Sequence, residues 1–230
     1  MISVCLATYN GEPYIRQQLA SILKQLGAED EVIVSDDGST DGTLAAVGEA
    51  GDARIRVITG PACGSLIRNF EHALRQAKGD YIFLADQDDV WTDDKVAVCM
   101  AYLERYDCVT SDAVVVDQGL NVLHPSFYAQ NSTRPGRFYN LLIKNGYLGC
   151  CMAFRRNVLE AALPFKRDIP MHDIWIGNVA AYRFRLKFIP EKLVMFRRHT
   201  GNNSTSASKS KYSLLKKFMF RLIILKDLLF

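Results

Sequence analysis

The chain has 230 residues, 49% of them hydrophobic, with 28 basic and 25 acidic side chains and a net charge of +3. That length suits one α/β domain, or one with a small appendage, and the apolar content is ample for a core. The mild, mixed charge lacks the basic patch that nucleic-acid binding requires, so no nucleic-acid partner is expected.

Apolar runs and helical periods alternate from the start. "MISVCLATYN" has neither a charged leader nor a small-residue cleavage site, and "ISVCLAT" reads as a first strand. Ile15, Leu19, Ile22, Leu23 and Leu26 then recur at helical spacing. "EVIVSDDG" is a second strand ending in a polar turn, Thr43 to Ala50 a short helix, and "IRVITG" a third strand. Leu66, Ile67, Phe70, Leu74 and Ala77 mark another helical face, "YIFLAD" a fourth strand, and Lys95 to Tyr106 a fourth helix. This alternation predicts a mostly parallel sheet with helices on both faces.

The second half is less regular. "CVTSDAVVVD" reads as a strand, and Ser126 to Arg137, with its Pro, Asn, Ser, Thr and Gly, as a long loop. "DIWIGNVAAYRF" looks helical, followed by short strands near "LKFIP" and "LVMFRR". "HTGNNSTSASKSK" is a polar linker. The last segment, "KYSLLKKFMFRLIILKDLLF", is cationic and apolar, without the run of roughly 18 apolar residues that a spanning helix needs. It reads as a helix lying in a membrane interface, or else as one packed on the domain or on a second subunit. The six cysteines show no zinc spacing or disulfide framework and read as small buried thiols of a reducing cytoplasm.

Ligands of open α/β sheets bind beyond the carboxyl ends of the strands, and three strands here end in polar groups: "ATYNGE", "SDDGSTDGT" and "ADQDDVW". In the second, Thr40 or Asp41 can cap the following helix, which leaves Asp37 available to accept a hydrogen bond from a pyrimidine N3–H. In the third, if the chain stays extended, Asp86 and Asp88 point to one side and Asp89 to the other. Two carboxylates on one side suit a hard divalent cation, Mn²⁺ or Mg²⁺. Thr92 or Asp93 would cap the next helix, so the acids are surplus to capping.

Together, "TYNGE", "SDDGSTDGT" and "ADQDD" at these intervals resemble the family-2 glycosyltransferases, firmly to Trp91 and loosely to about residue 205. The resemblance implies a GT-A nucleotide-sugar-binding domain over 1–205, with 206–230 forming a linker and a cationic amphipathic helix. It implies an inverting transferase using dTDP-rhamnose or a UDP-hexose as donor and a saccharide or lipid-linked saccharide as acceptor. Thr8, Tyr9, Glu12, Asp37, Arg68, Asn69 and Asp86 would bind the nucleotide, and Asp88 and His199 the metal. Asp173, in "MHDIWIG", would be the catalytic base, with a cap of the following helix as its alternative role. His172 departs from the commoner Glu. Gly149, Cys150 and Trp175 would face the acceptor, though Trp175 and Trp91 read equally as core. The expected location is cytoplasmic, peripheral at the inner face of the plasma membrane through Lys211–Phe230, with a homodimer as a further possibility. Rival readings are a non-catalytic nucleotide-sugar-binding module, a nucleotidyltransferase and a membrane-attached scaffold. "LATYNGEPYI" lacks the Gly-rich basic loop of nucleotidyltransferases, and a scaffold has no use for acids at three strand ends.

Overall fold

A computed structural model of the protein describes residues 1–199 and the helix at 214–229. The polar linker "HTGNNSTSASKSK" lies outside the described residues from Thr200 on. Strands β1 (Ile2–Thr8), β2 (Glu31–Asp36), β3 (Ile55–Thr59) and β4 (Tyr81–Asp86) pair in parallel in the order β3-β2-β1-β4. Helices α1 (Glu12–Leu23), α2 (Thr43–Gly48) and α3 (Leu66–Arg75) make the crossovers. β1 and β2 are buried at every position, as strands covered on both faces must be. Pro13 sits in the first turn of α1, where its missing N–H costs nothing. Ser65 caps α3, its hydroxyl accepting from the Arg68 N–H.

After β4 come β5 (Val90–Trp91), α4 (Lys95–Leu103), β6 (Cys108–Val116) and β7 (Val122–His124). Then follow α5 (Phe127–Asn131), α6 (Arg137–Leu142), a 3₁₀ turn at Gly149–Cys151, β8 (Met152–Arg155), α7 (Arg156–Ala162) and α8 (His172–Arg183). β9 (Leu186–Arg197) and α9 (Leu214–Leu229) complete the described residues. β8 lies antiparallel between β4 and β6, β9 runs parallel to β6, and β5 pairs antiparallel with β9. The sheet is parallel in its first half and mixed in its second.

Three expected elements take a different form. The two short strands of the last third are one strand, β9, and its register on β6 slips between Ser111 and Asp112, opposite Pro190 and Glu191. Proline has no N–H for the ladder, so it is tolerated at such an irregularity. The expected loop 126–137 contains α5, whose cap is the Ser126 hydroxyl accepting from the Ala129 N–H at 3.0 Å. Helix α4 starts after Asp94 and ends at Leu103, short of Tyr106.

Each face of the sheet carries its own core. Ile15, Leu19 and Ile22 of α1 and Cys99 and Leu103 of α4 pack on Val4, Leu6, Val32, Val34 and Phe83. On the other face Phe70 and Leu74 of α3, Val158 and Leu159 of α7 and Ile176 and Val179 of α8 pack on Cys5, Ile33, Ile82 and Leu84. Ile224 and Leu228 dock α9 onto this second core, and Arg183 Nη2 donates to the Leu228 carbonyl at 3.3 Å. No helix among the described residues is long and apolar enough to cross a membrane.

Candidate active site

The strand order reverses direction at β1, which has β2 on one side and β4 on the other. Beyond the carboxyl ends of these strands lies a cavity of about 210 Å³, where a doubly wound sheet opens a crevice. Of the residues expected to hold nucleotide or metal, Thr8, Tyr9, Asp37, Asn69, Asp86, Asp88 and His199 line it. The β1–β4 register places Ala7 opposite Asp86, and the β1–β2 register places Thr8 opposite Asp36.

Gln87 holds the first strand end. Its Oε1 accepts from the Thr8 hydroxyl at 2.6 Å and the Tyr9 N–H at 2.9 Å, and its Nε2 donates to the Tyr9 carbonyl at 3.0 Å. A Cβ on Gly11 would collide with the Gln87 amide, so this clamp needs glycine there. Tyr9 is left 52% exposed at the cavity mouth. Asn69 is buried: its Nδ2 donates to the Thr8 and Ser35 carbonyls at 3.3 and 2.9 Å, and its Oδ1 accepts from the Ser35 hydroxyl at 2.6 Å. It therefore ties the ends of β1 and β2 together. Asp36 folds the turn, accepting from the Ser39 N–H at 2.9 Å, while Asp37 Oδ1 accepts from the Cys63 N–H at 3.3 Å.

The acid loop does not stay extended. The chain turns at Gln87 and Asp88, so the alternation argument gives way. Asp86 and Asp88 both line the cavity, but the carboxylate clustered with Asp86 is Asp89. One oxygen of Asp86, one of Asp89 and the Cys150 sulfur lie within 4.8 Å of one another. Burial, then repulsion from Asp88 and Asp173, pushes the Asp86 carboxyl up to about 8. Burial and its acidic neighbours push Asp89 well above the usual range. Asp89 Oδ1 accepts from the Arg197 N–H at 2.9 Å, whereas its buried Oδ2 has no oxygen or nitrogen partner. Asp88 Oδ2 and His199 Nε2 are 2.9 Å apart, and Tyr14 stacks on the His199 ring with centroids 4.9 Å apart. Carboxylate oxygens crowded beside the cavity, one of them buried with no oxygen or nitrogen partner, fit a divalent cation.

Beneath the acids sits a buried ammonium. Lys95 is fully buried, its Nζ donating to the Cys150 carbonyl and lying 4.4 Å from the Trp91 ring centroid. Its charge favours the ionised form of Asp86. Arg197, also buried, reaches the Asp88 carbonyl through Nε at 2.6 Å and Gln17 Oε1 through Nη2 at 2.7 Å. The end of β9 is thereby fixed to the acid loop.

Asp173 occupies the first turn of α8 and does not cap it; the cap position is Met171. Its Oδ1 accepts from the Ile174 N–H at 2.7 Å and its Oδ2 from the Gly149 N–H at 3.2 Å. Burial outweighs these bonds and pushes its carboxyl up to about 6. His172 is buried against Phe70, with ring centroids 3.9 Å apart. Neither of its ring nitrogens has a partner, and burial drives its pKa down to about 3, so the ring is neutral. A Cβ on Gly149 would stand 2.9 Å from His172 Nε2 and 3.4 Å from Asp173 Cβ. Glycine is what lets the backbone reach the carboxylate.

Other expected contacts fall elsewhere. Glu12 accepts from the Gly42 N–H at 2.8 Å and braces the start of α2. Arg68 pairs with Glu71 at 2.6 Å. Trp175 belongs to the core, with its Nε1 donating to the Ala162 carbonyl at 2.8 Å. Cys150 is wholly buried and faces Asp86 and Asp89, not open space. Gln87, Lys95 and Arg198, the last of which lines the cavity, were not singled out by sequence reasoning. Gln87 lies inside "ADQDD" and Arg198 beside His199, so proximity to the motifs was the available signal; a buried lysine leaves none.

Comparison with known proteins follows the same lines. A family model described as glycosyl transferase family 2 matches residues 3–163. The chain is 29% identical to the dTDP-rhamnosyl transferase RfbG of Shigella flexneri, over 91% of this chain and 78% of that protein. It is 25% identical to the UDP-Glc:alpha-D-GlcNAc-diphosphoundecaprenol beta-1,3-glucosyltransferase WfgD of Escherichia coli, over 95% of this chain and 87% of that one. Among solved structures, S. aureus TarS 1-349 in complex with UDP-GlcNAc superposes with a TM-score of 0.72 at 20% identity. That match covers 98% of this chain and 66% of the TarS chain, and it shows a shared fold. A mixed sheet with its cavity at the β1–β4 switch point and a family match over most of the length lead to one assignment: the chain belongs to glycosyl transferase family 2.

Proposed function

We propose that the chain is an inverting glycosyltransferase of surface-polysaccharide synthesis, moving a sugar from dTDP-rhamnose or a UDP-hexose to a saccharide or lipid-linked saccharide acceptor. RfbG supports the first donor; WfgD supports the second and the lipid-linked acceptor. The observation that carries the reading is Asp173, a buried carboxylate held by the Gly149 N–H, with its pKa lifted toward neutrality. It stands close enough to the cavity acids to raise the pKa of Asp86. A general base works best when its pKa lies near the operating pH.

In this mechanism Tyr9 stacks on the base at the cavity mouth, and Asp37 accepts from the pyrimidine N3–H. Asp88 and His199 would hold Mn²⁺ or Mg²⁺, and the carboxyl groups of Asp86 and Asp89 would offer further oxygens nearby. When bound, the cation acts as a Lewis acid and neutralises charge growing on the diphosphate. Arg198 supplies a guanidinium on the same wall. Asp173 takes the acceptor hydroxyl proton as that oxygen bonds to the anomeric carbon. The carbon–oxygen bond to the nucleoside diphosphate breaks, the diphosphate leaves with the electron pair, and attack from the opposite face inverts the centre. No covalent intermediate is needed. The protein works at the cytoplasmic face of the membrane, held there through α9.

Thermal melting with UDP-glucose and dTDP-rhamnose, each with and without Mn²⁺, tests the donor. Binding to the folded state raises apparent stability by mass action. One donor should raise the melting point only when Mn²⁺ is present, and Asp88→Ala should abolish that rise. Identical stabilisation with and without Mn²⁺ would reject the metal assignment.

A further inference from the structure

Twelve large apolar side chains stand exposed among the described residues, and half of them lie on two touching segments. Phe138, Leu142 and Ile143 are on α6 and its end, at 60%, 50% and 65% exposure; Phe218, Met219 and Leu222 are on α9, at 54%, 53% and 49%. Single exposed leucines need no explanation, but a joined apolar patch marks an interaction surface. The two helices are joined directly: Arg221 Nη2 of α9 donates to the Ile143 carbonyl at 3.0 Å. At about 100° per residue, Ile224 and Leu228 point α9 inward while Phe218, Leu222, Lys226 and Met219 share the opposite arc. Arg221 lies between the two arcs, on the side of Phe218.

The charge around this patch has one sign on the α6 side. From residue 134 to 144 the charged side chains are Arg134, Arg137 and Lys144, all exposed and all basic. On α9, Arg221 and exposed Lys226 stand among the apolar residues. A cationic rim around protruding aromatic and aliphatic groups is the chemistry of an anionic bilayer interface. It opposes a second copy as occupant, because an isologous pairing would set these cations against themselves, and interface centres are depleted in charge.

We propose that α6 and α9 form one membrane-docking face, which seats Phe138, Leu142 and Ile143 beside Phe218, Met219 and Leu222 in an anionic lipid surface. This rests on the membrane-side placement of α9 proposed above, and adds α6 as its second half. The chain runs on from Lys144 to Gly149, whose N–H holds Asp173, so the docking face is close in sequence to the backbone that positions the proposed base.

The test is co-sedimentation of the full chain with phosphatidylcholine vesicles, with and without phosphatidylglycerol, in the absence of donor, metal and acceptor. Failure of the transferase reading therefore leaves this result separately readable. The wild type should bind vesicles containing phosphatidylglycerol and release them as salt rises. Phe138→Ser/Leu142→Ser/Ile143→Ser should weaken that binding at least about tenfold, as loss of buried apolar surface demands. Phe218→Ser/Leu222→Ser should do the same. Arg134→Glu/Arg137→Glu/Lys144→Glu, which leaves the apolar groups in place, should erase the preference for phosphatidylglycerol; its failure to do so would overturn the proposal even if the serine variant misfolds. The proposal also fails if the wild type ignores both vesicles, or if the α6 serine variant, folded by its melting curve, binds like wild type. It fails equally if the wild type is a lipid-free dimer that this variant converts to monomer.

Discussion

Replacing Asp173 with asparagine separates charge from shape at the proposed base. The wild-type carboxyl sits at about 6 against an ordinary value of 3.8. Two units correspond to about 3 kcal/mol disfavouring the ionised folded form. Because the folded pKa is raised, the associated stability is fully present below about 4 and is lost as pH rises through about 6. A neutral amide in its place would not carry that cost at pH 8. The amide has one acceptor oxygen for two N–H groups, so either Ile174 or Gly149 loses its partner, at about 1–3 kcal/mol. The two effects nearly cancel at pH 8, and the Asp173→Asn variant should melt close to wild type there but lower at pH 5. Turnover should fall roughly 10²–10⁴-fold with donor affinity intact. Wild-type kcat should rise about tenfold per pH unit below about 6 and flatten above it; the variant should show no such limb. Nucleoside diphosphate release, measured across pH with the donor chosen by melting, reads all of this. A variant with kcat within about threefold of wild type, or one changed only in donor KM, would refute the assignment.

Four further outcomes follow from the same geometry. Gly149→Ala should cost about 1–3 kcal/mol in denaturant titration and lower kcat, since its Cβ meets His172 and Asp173. Gln87→Ala should weaken donor binding up to about tenfold by calorimetry, with kcat less affected, because it frees Thr8 and Tyr9. Lys95→Met should destabilise the fold more at pH 9 than at pH 5, because its charge favours the ionised form of Asp86, which is populated only as pH rises through about 8; calorimetric melting at the two values will read the difference. Metal-free protein should lose stability as pH rises from about 4 through about 8, because Asp86 and Asp89 bind protons on folding; Mn²⁺ should flatten that slope in melting curves.

β1, β2 and β4 were legible because parallel strands covered on both faces read as continuous apolar runs, and β3, an edge strand with no fully buried residue, through its short β-branched run. The acids at their ends were legible because neither capping nor packing needs them. Asp88 and His199, read from the sequence as metal ligands, stand 2.9 Å apart. The pairing of Asp86 with Asp89 was not legible: it depends on a turn at Gln87 and Asp88, and alternation holds only while a chain is extended. Lys95 read only as the start of a helix, since nothing in one dimension reveals a buried ammonium over Trp91. Trp175 offered two roles to the sequence, and burial in the second core chose one. Helix α6, six residues long behind Pro135 and Gly136, is too short to display a period.

The tether from Arg197 to the Asp88 carbonyl and the Asp89 carboxylate joins groups more than 100 residues apart. Long loops close slowly, and contacts of such separation form late. As the polypeptide emerges during synthesis, β1 to β4 can assemble first, but Phe196, Arg198 and His199, which make one wall of the crevice, arrive only with β9. A nascent chain lacking that strand presents its acids to water with no enclosure. Competence to receive a nucleotide is thus acquired only when β9 zips onto β6.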